Sequence, residues 1–182
     1  TARYNEIDHL VGILQQASYY VAVFHSNAGA FYARTIAYTN MAVDTFHDQN
    51  SYTGDAAGWY SNDAEFITQT FTQYILPLRG RRVFAYMITN QSHGPYRNYS
   101  SSTAELFDFS NTGMSRLEKD YICSMREADD ALRTLFQHLA RCGMADSSTV
   151  VLFADHPSGV MTKGEGRIER IPFLLFNPAL AA

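Results

Sequence analysis

No apolar run in this chain approaches the ~20 consecutive residues that a membrane-spanning helix needs. Its first residues lack the basic stretch and apolar core of a secretory signal. Basic charge is not in excess either, with 14 Lys and Arg against 18 Asp and Glu and a net charge of -4. That balance excludes the electrostatic footprint of a nucleic-acid binder. Any anionic ligand must therefore be met by a local cluster of Arg, His or metal. Cysteine is scarce. Cys123 and Cys142 fall on one long predicted helix and its end. At ~1.5 Å per residue they stand more than ~20 Å apart, beyond disulfide reach, and both are expected as free thiols. Gly-x-Ser-x-Gly, P-loop and Gly-x-Gly-x-x-Gly patterns are all missing, which removes the nucleophile elbow and the nucleotide-phosphate cradles. There is no internal repeat and no low-complexity tract.

What is present is a globular composition: 182 residues, 46% hydrophobic and 18% charged, with 12 Tyr and 12 Phe. One domain, 1–182, accommodates this length with ample core. The chain opens on Thr1-Ala-Arg-Tyr-Asn without an initiator Met and closes on Ala-Leu-Ala-Ala after Pro178. A leader or anchor outside this sequence is therefore expected. Helical spacing runs over residues 7–17, and an aromatic, β-branched run predicts a strand over 19–24. Residues 28–42 are ambiguous, with a short helix after a Gly-containing turn as one reading, and 50–58 is loop by composition. Asn62 and Glu65 have capping-box spacing and open an apolar stripe that lasts until Pro77. A second strand follows over 83–89, then a Ser-, Asn- and Thr-rich loop over 97–113. The longest periodic segment, 114–141, predicts a helix stopped by Gly143. Strands are predicted again over 149–155 and 171–176, with a glycine-bearing loop over 159–166 between them. Strands alternating with helices predict an α/β fold with a mainly parallel sheet flanked by helices.

Three predicted strands end in chemistry-bearing residues: His25 after the first, His93 just past the second, and Asp155-His156 after the third. In one parallel sheet those ends share an edge, and the side chains converge. Asp with a neutral imidazole suits Zn or Mn, although zinc takes three or four protein ligands. Adjacent strand residues point to opposite faces, so the pair shares an ion only where the strand has broken, as Pro157 implies. The alternative is an Asp opening a turn beside a partly buried His. Arg34, following Phe31 and Tyr32, suits an anionic headgroup through its planar fork of donors; the alternative is a surface Arg on a helix. His9, His47 and His138 lack converging partners and read as solvated or capping residues. Glu127, Asp129 and Asp130 lie at helical spacing, where carboxylates brace or solvate the helix.

Taken in order, several blocks resemble the sulfatase-like domain of lipoteichoic acid synthases. They are Phe24 to Asn27, Phe31 to Arg34, Gly58 to Phe66, His93 to Tyr96, Ala128 to Leu132 and Asp155-His156. That domain is the phosphoglycerol transferase branch of the alkaline phosphatase superfamily, and the resemblance covers nearly the whole chain as its C-terminal portion. It implies a sulfatase-type α/β fold with Asp155 and His156 as ligands of a divalent ion, Mn or Zn. It also implies that His93, Arg34, His25, Tyr32 and Asn27 line a glycerophosphate pocket. The chain departs from the family pattern at Asn27, Tyr32, Ala33, Ala154 and Pro157.

The reaction implied is transfer of a phosphoglycerol group from a phosphatidylglycerol-type lipid, at the extracytoplasmic face of a membrane. The family's nucleophilic Thr and a further Glu ligand are expected upstream of residue 1, and the setting of Thr1 does not match that motif. These residues alone are therefore expected to be inactive and to bind metal weakly, with the membrane anchor outside them. Two other readings stand beside this one. The first is a sulfatase, phosphodiesterase or phosphoethanolamine transferase on the same scaffold. The second is a catalytically dead module that binds an anionic headgroup.

Overall fold

The apolar run Tyr20–His25 forms β1, the central strand of a three-stranded sheet in the computed structural model, which describes residues 9–160 and 170–178. Val21, Ala22, Val23 and Phe24 are all buried. Burial on both faces is what a central parallel strand demands, and it explains why this run is apolar without alternation. β2 (Thr45–His47) and β3 (Val83–Ile88) flank β1, both parallel to it, in the order β2-β1-β3. Phe24 pairs with His47 and His25 with Ile88. All three strands of this sheet therefore end along one edge. β2 was not expected, because three residues are too few to display a period. His47, expected to be solvated or capping, is instead half-buried and stacked on Phe24, with ring centroids 5.2 Å apart.

Helices supply the rest of this half. α1 (Leu10–Gln16) is capped by His9, whose ring accepts from Gly12 N at 3.3 Å. α2 (Arg34–Asn40) connects β1 to β2. α3 (Asp63–Thr70) starts where expected, with Asn62 Oδ1 accepting from Glu65 N at 2.9 Å. It then continues as a π turn over Phe71–Ile75 and a 3-10 turn over Leu76–Leu78. Phe66, Ile67, Phe71 and Ile75 make up its buried stripe.

The chain divides into two compact units, Thr1–Asn90 and Gln91–Ala182. In the second, α4 (Ser101–Ala104) interrupts the expected loop. α5 (Arg116–Arg141) carries a full capping box between Ser115 and Glu118. Glu127 on α5 accepts from Ser100 N at 2.9 Å and from Thr103 Oγ1 at 2.7 Å, tying the start of α4 to the long helix. Asp129 and Asp130 pair with Arg126 and Arg133 along the same helix, as bracing residues should. Cys123 and Cys142 are free thiols, the latter at the helix C-cap.

β4 (Val150–Phe153) and β5 (Phe173–Phe176) form a separate two-stranded antiparallel sheet. The strand leading to Asp155-His156 thus pairs with β5 and not within the parallel sheet of β1 and β3. An all-apolar run announces burial but not which strand it will pair with. The α/β class with a parallel sheet and flanking helices is as expected. Residues 7–8 of the first predicted helix and 161–166 of the glycine-bearing loop, with 167–169 after it, lie outside the described residues.

Candidate headgroup pocket and metal ligands

His25 ends β1 and is 2% exposed. Its Nδ1 lies 3.2 Å from the Ile88 carbonyl on β3, which can only accept, so Nδ1 carries the proton. Nε2 is then a bare lone pair, buried and without a hydrogen-bond partner among the described residues. Burial pushes the imidazole below its ordinary value of 6.5, opposed by the Ile88 bond; nearby Arg34 lowers it further and Asp48 raises it. The ring is therefore a neutral acceptor near pH 7, suited to a ligand hydroxyl that donates.

Beyond His25 the chain is held tightly. Ser26 Oγ accepts from Ser61 Oγ at 2.7 Å and from Asn90 Nδ2 at 2.8 Å, while Gly58 N donates to the Ser26 carbonyl at 2.6 Å. Asn90 N donates to the fully buried Asp63 at 2.9 Å. Asn27 is buried, and its Oδ1 accepts from Ala28 N at 2.7 Å. The chain then turns through Tyr32 and Ala33, both with φ of 54°. These two left-handed residues cost roughly 1–2 kcal/mol each. They leave the Tyr32 ring 81% exposed. They also place the Arg34 guanidinium 5.6 Å from the Phe31 ring and 5.5 Å from the Tyr32 ring. Arg34 Nη1 donates to the Phe31 carbonyl at 3.4 Å, which uses one of its five donors. Phe31 in turn meets the Trp59 ring edge-on at 5.8 Å. The first unit thus gathers His25, Asn27, Tyr32 and Arg34 at one sheet edge and the loop that leaves it.

The other three expected site residues belong to the second unit. Tyr96 OH donates to the Ser158 carbonyl at 3.0 Å, tying the turn that carries His93 to the loop after β4. The His93 and His156 rings stand 6.1 Å apart, nearly perpendicular. His156 Nδ1 donates to the Pro157 carbonyl at 2.8 Å, and Nε2 points toward Asp155 Oδ1 at 3.7 Å. A histidine whose second nitrogen is fixed on a carbonyl presents its lone pair in the way metal ligands do. The donor chemistry therefore fits a divalent ion, but it fits as half of a site. No group of three His, Cys, Asp or Glu able to hold a metal occurs among the described residues.

Sequence reasoning missed Asp48, Trp59 and the Ser26–Ser61–Asn90 network. Asp48 follows a strand too short to be seen. The available signal was an Asp directly after the aromatic, β-branched triplet Thr45–His47.

The Sulfatase family profile matches residues 2–180. The lipoteichoic acid synthase-like protein YvgJ of Bacillus subtilis (strain 168) is 25% identical over 187 residues, which cover 92% of this chain and 29% of that relative. Among solved structures, the lipoteichoic acid synthase LtaP from Listeria monocytogenes matches with a TM-score of 0.79 at 24% identity, over 94% of this chain and 46% of its own. The zinc complex of the C-terminal periplasmic domain of EcEptC from Escherichia coli matches with a TM-score of 0.65 at 17% identity, over 93% and 52%. The chain thus spans well under two thirds of each of these proteins.

Proposed function

Because the chain belongs to the sulfatase family, we propose that it is the C-terminal portion of a metal-dependent phosphoglycerol transferase domain acting on phosphatidylglycerol-type lipids. The observation that supports this most is the buried Nε2 of His25, unpartnered among the described residues, in the neighbourhood of the Arg34 cation. A neutral acceptor reads a glycerol hydroxyl, and a guanidinium reads the phosphate. Tyr32 offers a ring face to the glycerol carbons and Asn27 borders the same loop, while His93, in the second unit, is assigned to the side of His156 as a phosphate contact. A divalent ion on Asp155 and His156, Mn or Zn, would polarise a phosphate oxygen and lower the pKa of an attacking hydroxyl. That hydroxyl and a third ligand are assigned to sequence upstream of residue 1, so these 182 residues are inactive alone. The proposed setting is the extracytoplasmic face of a membrane, with anchoring elsewhere; no helix among the described residues is long and apolar enough to cross one.

The test is calorimetric titration with glycerol 1-phosphate, phosphoethanolamine and sulfate. Glycerol 1-phosphate should bind best, and Arg34→Ala should weaken it by about tenfold or more, the order for losing a charge-assisted contact. Preference for sulfate or phosphoethanolamine would favour another member of the superfamily. Turnover of phosphatidylglycerol by the 182 residues alone would refute the assignment of the nucleophile.

A further inference from the structure

Asp48 leaves the end of β2 at the sheet edge where His25 leaves β1, because Phe24 and His47 are paired in parallel register. Its carboxylate is fully engaged. Oδ2 accepts from the Gly29 backbone N–H at 3.1 Å, and Oδ1 accepts from Asn50 N at 3.0 Å. Asn50 Nδ2 reaches both oxygens, at 3.2 and 3.3 Å. One residue further on, Gln49 N donates to the Asn27 carbonyl at 3.1 Å. Two bonds of opposite sense therefore lace residues 27–29 to residues 48–49.

The junction is also sterically closed. A Cβ on Gly29 would stand 2.7 Å from Thr35 Oγ1, 2.8 Å from Asp48 Oδ2 and 3.1 Å from the Phe46 ring. Thr35 N donates to the Gly29 carbonyl at 3.0 Å, so the residue after Arg34 hangs on the same glycine that Asp48 holds. Between these anchors lie Tyr32 and Ala33, the two left-handed residues. A strained backbone of this kind persists only where its surroundings fix both ends. Asp48 supplies one of those fixings from a different strand. The charged side chains acting on His25 are Arg34, from the start of α2, and Asp48 itself. The carboxylate thus offsets the guanidinium as well as holding its loop.

We propose that Asp48 is a positioning residue. It holds the 29–35 loop on the sheet edge so that Arg34 and Tyr32 are preset for an anionic, hydroxyl-bearing headgroup. Only the ligand arm of the test rests on the glycerophosphate reading above.

The experiment compares Asp48→Asn, Gly29→Ala and Asn50→Ala with the unaltered protein. Without ligand, the His25 imidazole is titrated by NMR and the amide shifts of residues 29–35 are recorded. With ligand, glycerol 1-phosphate affinity is measured by calorimetry. A carboxamide can accept from Gly29 or from Asn50 but cannot serve all four bonds, and it has no charge. Asp48→Asn should therefore lower the His25 midpoint and move the 29–35 amides. It should also weaken glycerol 1-phosphate by about tenfold, the order for a hydrogen bond to a charged group. Gly29→Ala keeps the carboxylate and should reproduce the affinity loss, which carries the test if Asp48→Asn does not fold. Asn50→Ala should leave the 29–35 amides and the affinity unchanged. Unchanged amides and an unchanged His25 midpoint in Asp48→Asn would overturn the proposal, as would unchanged affinity in both Asp48→Asn and Gly29→Ala. If the unaltered protein binds no glycerol 1-phosphate while the ligand-free shifts follow expectation, the clamp stands and the headgroup reading fails.

Discussion

His25 closes an apolar strand and His156 comes just after one, and each holds one ring nitrogen on a backbone carbonyl, yet their burial differs. His25 is buried, with one nitrogen on a neighbouring strand's carbonyl and the other unpartnered among the described residues. The His156 side chain is 59% exposed, and that of Asp155 is 83% exposed. The first histidine sits at the edge of a parallel sheet whose central strand is buried on both faces. The second lies just past a two-stranded sheet whose residues are half-buried or exposed. In the first unit packing and a strand carbonyl fix the His25 ring. In the second, Asp155 and His156 stand largely in solvent.

Mutation can break this contrast where it is sharpest. Phe24→Ala should destabilise the protein by about 3–5 kcal/mol, since the ring is fully buried and leaves a cavity, as read by urea denaturation. Asn90→Ala should cost about 1–3 kcal/mol in the same assay, because Ser26 Oγ and the Gly58 carbonyl each lose one of two donors in a buried network.

Acid offers a graded test. Burial places the pKa of both His25 and His47 below the ordinary 6.5, so near and below that value the unfolded chain binds more protons than the folded one. Their contribution to stability is full above 6.5, falls as pH drops below it, and levels off below the folded values. Imidazole NMR should show both rings still neutral at pH values where a free histidine is charged. The smallest effect belongs to the second sheet. Phe173→Ala should change stability by less than about 0.5 kcal/mol, since the ring is 69% exposed. A loss near that of Phe24→Ala would erase the distinction between the units.

Much of this architecture was legible in the residues. The helix beginning at Asp63 declares itself through Asn62 and its apolar period, and the one beginning at Arg116 through its period alone; sequence reasoning missed its Ser115 cap. β1 and β3 are plain from composition, and their parallel pairing follows from the helices between them. His25 and Arg34 stood out as a strand-end imidazole and a cation behind two aromatics. β2 was hidden by its brevity. The partner of β4 was hidden because apolar runs do not name their neighbours. Asp48 was hidden for a different reason: its bond to Gly29 joins residues 19 apart in sequence, and no local pattern encodes it. Long-range hydrogen bonds made by backbone groups leave no trace in residue identity, since every residue but proline offers the same N–H.

The antiparallel pair β4–β5 has a practical consequence at the bench. Register places Val151, Phe153, Phe173 and Leu175 on one face, all at least 46% exposed. The opposite face meets α5 through Phe136 and Phe176, with ring centroids 5.1 Å apart. An exposed apolar patch of this kind, on a short sheet of two strands, is a nucleus for precipitation during concentration and storage. Replacing Leu175 by Lys should keep the protein in solution at higher concentration without touching His25, Asn27, Tyr32 or Arg34.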